Sequence, residues 1–232
     1  QYGHSVFDYP LFQNSEISNY ESFVLRNSGN DWTSTMLRDG YITSLANKTD
    51  IDHQLFRPAV IYLNGEYWGI QNIREKVNEH FLSSHHDINP ENIDLLDIQG
   101  TNPENIVHGT NVDYLNLLDY LNNNDIRDPV IQSGIEGWID INSFMQYQAF
   151  QIFIDNRDWP GNNIKFWRDH RTTGKWRWIL YDTDFGFGIW DPNAYTYNTL
   201  SFALTPNGPD WPNPPWSTLM LRTLMENDHF QN

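Results

Sequence analysis

Asp158, Asn163, Asp182 and Asp184 fall within one stretch, Asp155–Gly188, that also carries two aromatic-rich apolar runs. Ile164–Arg168 and Lys175–Tyr181 flank the polar segment DHRTTG and read as the strands of a β-hairpin. With the loop centred near Thr172, antiparallel pairing sets Asn163 opposite Tyr181 and Asp182. Asp158, in the loop just before the first strand, faces the same spot. Carboxylate and amide oxygens gathered at one end of a rigid hairpin suit a hard cation such as Mg²⁺.

The spacing adds a second reading. Asn156-Arg157-Asp158, four residues and then Asn163 match the protein-kinase catalytic loop H-R-D-x-x-x-x-N, and Asp184-Phe185-Gly186 spells the kinase metal-binding triplet. That chemistry needs a carboxylate to orient or deprotonate the attacking hydroxyl. It also needs an amide oxygen and a second carboxylate to hold Mg²⁺ on nucleotide phosphates. Each short match is common by chance, and an Asp/Asn-rich loop after a helix is ordinarily a turn with self-satisfied side chains. The order of loop, hairpin and DFG-like turn is far rarer. A glycosidase reading would instead pair Asp158 with Asp182 and use Trp159, Trp167, Trp176, Trp178 and Trp190 as sugar platforms. It gives Asn163 no task, and tryptophans in such numbers more often build a core and its rim.

Several elements must position these residues. Asp140 is a plausible N-cap for a helix in which Ile141, Phe144, Met145, Gln148 and Ile152 share a face, and this helix leads directly into the Asp155–Asn163 loop. Val112, Leu115, Leu118 and Leu121 mark another helix, and Ser217–Met225 a last one. Earlier, Glu21–Arg26 reads as a strand followed by the turn NSGND, and Thr33–Ala46 carries helix-like spacing. Phe56–Leu63 and Glu66–Ile73 form a hairpin closed by Asn64-Gly65, the strongest short-range hairpin signal in the chain. Arg74–Leu82 reads as the opening of a helix. Asn-Pro, Gly and Asn clusters between Ser83 and Thr110 surround one apolar run, Ile93–Ile98, and suggest a hinge. The expected class is α+β, with a β-rich lobe over 1–100 and a helical lobe over 101–232. The end of the chain, just after a helical pattern, suggests a fragment of a longer protein.

Thirty acidic against fourteen basic residues give a net charge of −16, which argues against nucleic acid or an anionic membrane as partner. No apolar run approaches a membrane span, so no insertion is expected. The chain has no cysteine, which excludes thiol chemistry. His80, His85 and His86 fit no compact zinc spacing. Asp87-x-Asn89-x-Glu91 lacks the glycine and distal glutamate of a calcium loop.

Four segments together resemble the CotH kinase family, atypical protein-kinase-like proteins named for a spore coat protein. They are FVLRNSGNDW (23–32), RPAVIYLNGEYWGIQNIREKVNEHFL (57–82), NRDWPGNNIKFWRD (156–169) and KWRWILYDTDFGFG (175–188). The resemblance implies a two-lobe, protein-kinase-like fold with ATP between a small β-rich lobe and a larger helical one. It implies transfer of the γ-phosphoryl group to Ser or Thr of protein substrates with Mg²⁺ (or Mn²⁺), and a bacterial extracellular or cell-envelope location. Asp158 matches the catalytic-loop Asp and would be the base; Asn163 matches the metal-binding Asn. Asp184 matches the metal-binding Asp by letters, while Asp182 lies better opposite Asn163 and ranks first. Asn156 replaces the loop histidine. No G-x-G-x-x-G occurs, which leaves room for an inactive scaffold; NSGND or the Asn64-Gly65 turn are the alternatives for covering phosphates. Arg74, Lys76 beside Glu75, and Lys165 are the candidates for holding the nucleotide.

Overall fold

Asn64 and Gly65, with φ of +52° and +85°, close the expected hairpin; both residue types enter the left-handed region at little cost. The computed structural model describes residues 6–13, 15–99, 102–171, 174–205 and 213–231. In chain order the strands are β1 (Phe7–Asp8), β2 (Asn19–Tyr20), β3 (Phe23–Arg26), β4 (Asp52–His53), β5 (Phe56–Leu63), β6 (Glu66–Glu75), β7 (Ile93–Gln99), β8 (Asn102–His108), β9 (Ile164–Asp169) and β10 (Arg177–Leu180). The helices are α1 (Arg38–Leu45), α2 (Glu79–His86), α3 (Val112–Asn123), α4 (Pro129–Trp138), α5 (Ile141–Phe153), α6 (Thr199–Ala203), α7 (Leu219–Leu224) and α8 (Asp228–Gln231). The chain is α+β, with a sheet-rich part and a helical part.

Two sheets matter for the site. One runs β3-β6-β5 and the other β4-β10-β9-β7-β8. Within the second, β9 and β10 pair antiparallel with Lys165 opposite Ile179. Continued outward, that register sets Asn163 against Tyr181, as the sequence predicts; Thr172, the expected loop centre, lies outside the described residues. The faces of this sheet are both covered. Phe166, Trp178 and Leu96 pack with Tyr114 and Leu117 of α3 and with Phe144 and Tyr147 of α5. Trp167, Leu95 and Ile179 pack on the other face with Phe81 and Leu82 of α2. Trp159, Trp167, Trp176 and Trp178 are all buried, so they are core and not a sugar platform, while Trp190 is exposed.

Three expectations need correction. The stretch 83–110 is not a loose connection throughout: its one run, Ile93–Ile98, lies in β7 as six consecutive buried residues paired with β9 on one side and β8 on the other. The two carboxylates that interrupt it, Asp94 and Asp97, are buried because Arg168 and Lys165 of β9 pair with them at 3.2 and 2.8 Å. A boundary at residue 100 therefore runs through the β7–β8 hairpin, and the two sheets are not sequential along the chain, since β4 joins the second sheet before β5 and β6 complete the first. Arg74–Leu82 does not open as helix, because Arg74 and Glu75 still pair with Val24 and Phe23. The helix begins only after Asn78, whose side chain caps the Phe81 N–H at 3.1 Å. Thr33–Ala46 is helical only from Arg38. Before it, Asp31 gathers the backbone N–H groups of Thr35 and Arg38 at 3.2 and 3.1 Å and holds the segment as a loop.

Candidate functional site

The second sheet ends where Asn163 enters β9 and Asp182 leaves β10. Asp155, Asn163 and Asp182 all have φ between +46° and +53°, a conformation that short polar side chains tolerate better than other L-residues. Each marks a sharp change of direction: α5 into the loop, loop into β9, and β10 into the Asp184 turn.

Asp158 sits inside this loop and is largely buried. Its Oδ2 accepts from Asn163 Nδ2 at 2.5 Å and from Asn162 Nδ2 at 3.0 Å. Its own N–H donates to Asn156 Oδ1, and Asn156 is held in turn by Gln151 of α5. The asparagine at the histidine position thus ties the loop to the helix that delivers it. Burial pushes the Asp158 carboxyl above its ordinary value, and nearby Asp182 adds to this against the Asn162 amide.

Asp182, close enough to Asp158 to raise its pKa, gathers with Asp184 around Arg26 at the end of β3. Arg26 makes a short ion pair with Asp182. It lies 3.7 Å from Asp184 Oδ2 and 3.6 Å from Asp39 Oδ2. Asp184 is almost fully buried and accepts the Asn30 N–H at 2.9 Å. Burial first, and then Asp182, push its carboxyl up to about 6. Asp39 of α1 receives Arg74 Nη1 at 2.5 Å and the Thr183 N–H at 2.8 Å, so it joins both sheets under the site.

The structure therefore brings together Asp158, Asn163, Asp182, Asp184 and, through Asp39, Arg74. It does not bring in Glu75 or Lys76. Successive residues of a strand point to opposite faces, so Glu75 turns away from Arg74 and meets the Leu55 N–H at 3.0 Å and His85 Nε2 at 2.7 Å. Lys76 is exposed beside it. Lys165 commits its charge to Asp97 across the β7–β9 pair at 2.8 Å, under the Tyr181 ring. The histidines likewise take single carboxylate partners, His86 with Asp52 at 2.9 Å, and Asp87 and Asn89 shape the turn that ends α2.

Sequence reasoning missed Arg26, Asn30, Asp39 and Arg38. Arg38 is fixed by Asp31 at 3.2 Å and donates to the carbonyls of Gly186 and Phe187, both at 3.0 Å. The NSGND segment is thereby clamped onto the DFG-like turn. The available signal was Gly29, whose φ of +57° brings backbone so close to Asp184 that a Cβ there would collide with the carboxylate. Gly29→Ala is expected to cost at least about 1–2 kcal/mol, the penalty for a left-handed L-residue. Urea unfolding checks this, and an unchanged midpoint would mean that the loop does not press on Asp184.

Asp182, Asp184 and the amide oxygen of Asn163 are hard oxygen donors of the kind Mg²⁺ and Mn²⁺ take. Asn163 spends its N–H on Asp158, which leaves that oxygen available. Among the described residues no three His, Asp or Glu side chains stand preassembled around a point in space; the carboxylates close on Arg26 instead. No helix among the described residues is long and apolar enough to cross a membrane.

Comparison with curated proteins finds no match. A family model described as CotH kinase protein matches residues 5–232, so nearly the whole chain, including the Asp158 loop, the β9–β10 hairpin and the Arg26 strand, belongs to the CotH kinase family.

Proposed function

We propose that the chain is a phosphotransferase that moves the γ-phosphoryl group of ATP to a Ser or Thr hydroxyl of a protein substrate with Mg²⁺ or Mn²⁺, at a bacterial cell envelope or outside the cell. The observation that carries this reading is the Asp158 carboxylate, pinned by Asn162 and Asn163 and close to Asp182, in a chain of kinase-like family. Asp158 accepts the hydroxyl proton as the substrate oxygen attacks the γ-phosphorus. The bond from that phosphorus to the β–γ bridging oxygen breaks, and ADP leaves. A base is most useful when its pKa approaches the working pH, and the upward shift at Asp158 is in that direction. Asn163, Asp182 and Asp184 would hold the cation, which when bound supplies positive charge to the phosphate oxygens. Arg74, buried and bonded to Asp39 and Gln54, contributes positive charge beneath them. The ion pair of Lys165 with Asp97 favours a structural role for that lysine.

Thermal unfolding with ATP, with Mn²⁺ or Mg²⁺, and with both tests the reading. A ligand that binds only the native state raises the midpoint, by about 2.7 kcal/mol of stability at a hundredfold excess over Kd. The expected rise requires nucleotide and cation together and disappears in Asp182→Ala. No shift at millimolar nucleotide overturns the active-kinase reading and leaves a scaffold built on a kinase-like fold.

A further inference from the structure

Two arginines serve the carboxylate cluster, and they differ in freedom. Arg74 is 2 % exposed and is held by Asp39 at 2.5 Å and Gln54 at 3.3 Å. Arg26 ends an edge strand, its side chain is 26 % exposed, and it is shared among Asp182, Asp39 and Asp184. With all groups ionised, Asp39, Asp158, Asp182 and Asp184 carry four negative charges against two positive ones. The remainder is the charge of one divalent cation. Such a cation approaches carboxylate oxygens at about 2.0–2.1 Å for Mg²⁺, closer than a guanidinium nitrogen, and with twice the charge, so it competes with an arginine for the same oxygens.

We propose that Arg26 is a displaceable counter-cation: it holds Asp182 and Asp184 until a divalent cation takes them, and its released guanidinium then binds the nucleotide phosphates. The planar fork of an arginine matches phosphate oxygens as well as it matches a carboxylate. The exposed side of Arg26 gives it room to turn. Asp39 stays with Arg74 throughout, so the floor of the site does not collapse when Arg26 leaves. The phosphate half of this exchange rests on the nucleotide reading above; the counter-cation half does not.

The test is calorimetric titration of the whole chain with Mn²⁺ alone and then with Mn²⁺ and ATP, for wild type and Arg26→Gln. Removing the competing charge should tighten Mn²⁺ alone by about tenfold, while affinity for ATP in saturating Mn²⁺ falls by a similar factor. Changes of opposite sign separate this role from a structural one, which would weaken both. Unchanged or weaker Mn²⁺ binding overturns the proposal. Tighter Mn²⁺ with no ATP binding by either protein keeps the counter-cation role and overturns the nucleotide reading. Wild-type protein gives an independent readout if Arg26→Gln does not fold. Modification of Arg26 by a dicarbonyl reagent, mapped by mass spectrometry, should rise on adding Mn²⁺ and fall again with ATP. Reactivity indifferent to Mn²⁺ would likewise overturn it.

Discussion

Asp158→Asn is expected to lower the proposed phosphoryl transfer by about 10²–10⁴-fold, the span over which a positioned general base contributes, and to leave nucleotide affinity unchanged. The substitution is isosteric. The Asn side chain still offers an oxygen to the amides of Asn162 and Asn163, so the loop keeps its shape. The Asp158 N–H also keeps its bond to Asn156. What disappears is the ability to take a proton from the incoming hydroxyl, together with one negative charge close to Asp182. The loss therefore belongs in kcat, with the KM for ATP nearly constant. Steady-state kinetics beside a melting curve decide the matter. Equal rates for the two proteins would reduce Asp158 to a turn residue that happens to satisfy two asparagines. A parallel fall in melting temperature would assign the loss to folding instead.

The hairpin was legible because its information is local. Asn64-Gly65 demands a tight turn, and the β9–β10 runs fix their own register, so the convergence of Asn163 with Asp182 follows from counting residues. Asp140 capping α5 was legible for the same reason, with its side chain on the Ser143 N–H at 3.1 Å. The partners that complete the site were not, because their contacts are long-range: Arg26 meets Asp182 across 156 residues, and Asp39 meets Thr183 across 144. Nothing in FVLRNSGND states that its arginine faces a carboxylate supplied by the other sheet. Between Arg74 and Lys76 the sequence left an open choice that alternation cannot make, since residues two apart share a face; what separates them is the end of β6 at Glu75, which leaves Arg74 buried on Asp39 and Lys76 exposed just past the strand. The loose-loop reading of 83–110 missed β7 for a related reason. Loop-rich composition around Ile93–Ile98 describes the ends of β7 and is silent about the sheet that receives its middle.

Asp39→Asn is expected to cost roughly 3–5 kcal/mol, the range found when one partner of a buried ion pair is removed. Arg74, 2 % exposed, would lose the charge of its direct partner and keep only neutral acceptors, Gln54 at 3.3 Å and at most the one oxygen left at position 39, and burying a guanidinium without its counter-charge is far worse than removing the pair entirely. Asp39→Leu combined with Arg74→Met should therefore be less damaging than either change alone, a non-additivity that a double-mutant cycle measures directly. The dependence on pH separates charge from packing. Burial by itself would raise the Asp39 pKa, but Arg74 and then Arg26 outweigh it and hold the carboxyl below its ordinary value. A carboxylate whose folded pKa is depressed adds stability that is fully present above its unfolded pKa of about 4 and is lost as pH falls through the folded value. Urea midpoints of wild type and Asp39→Asn should accordingly lie furthest apart near neutrality and converge in acid. A separation that stays constant down to the acid transition would mean that the Thr183 hydrogen bonds and local packing, rather than the charge on Asp39, hold the two sheets together beneath the site.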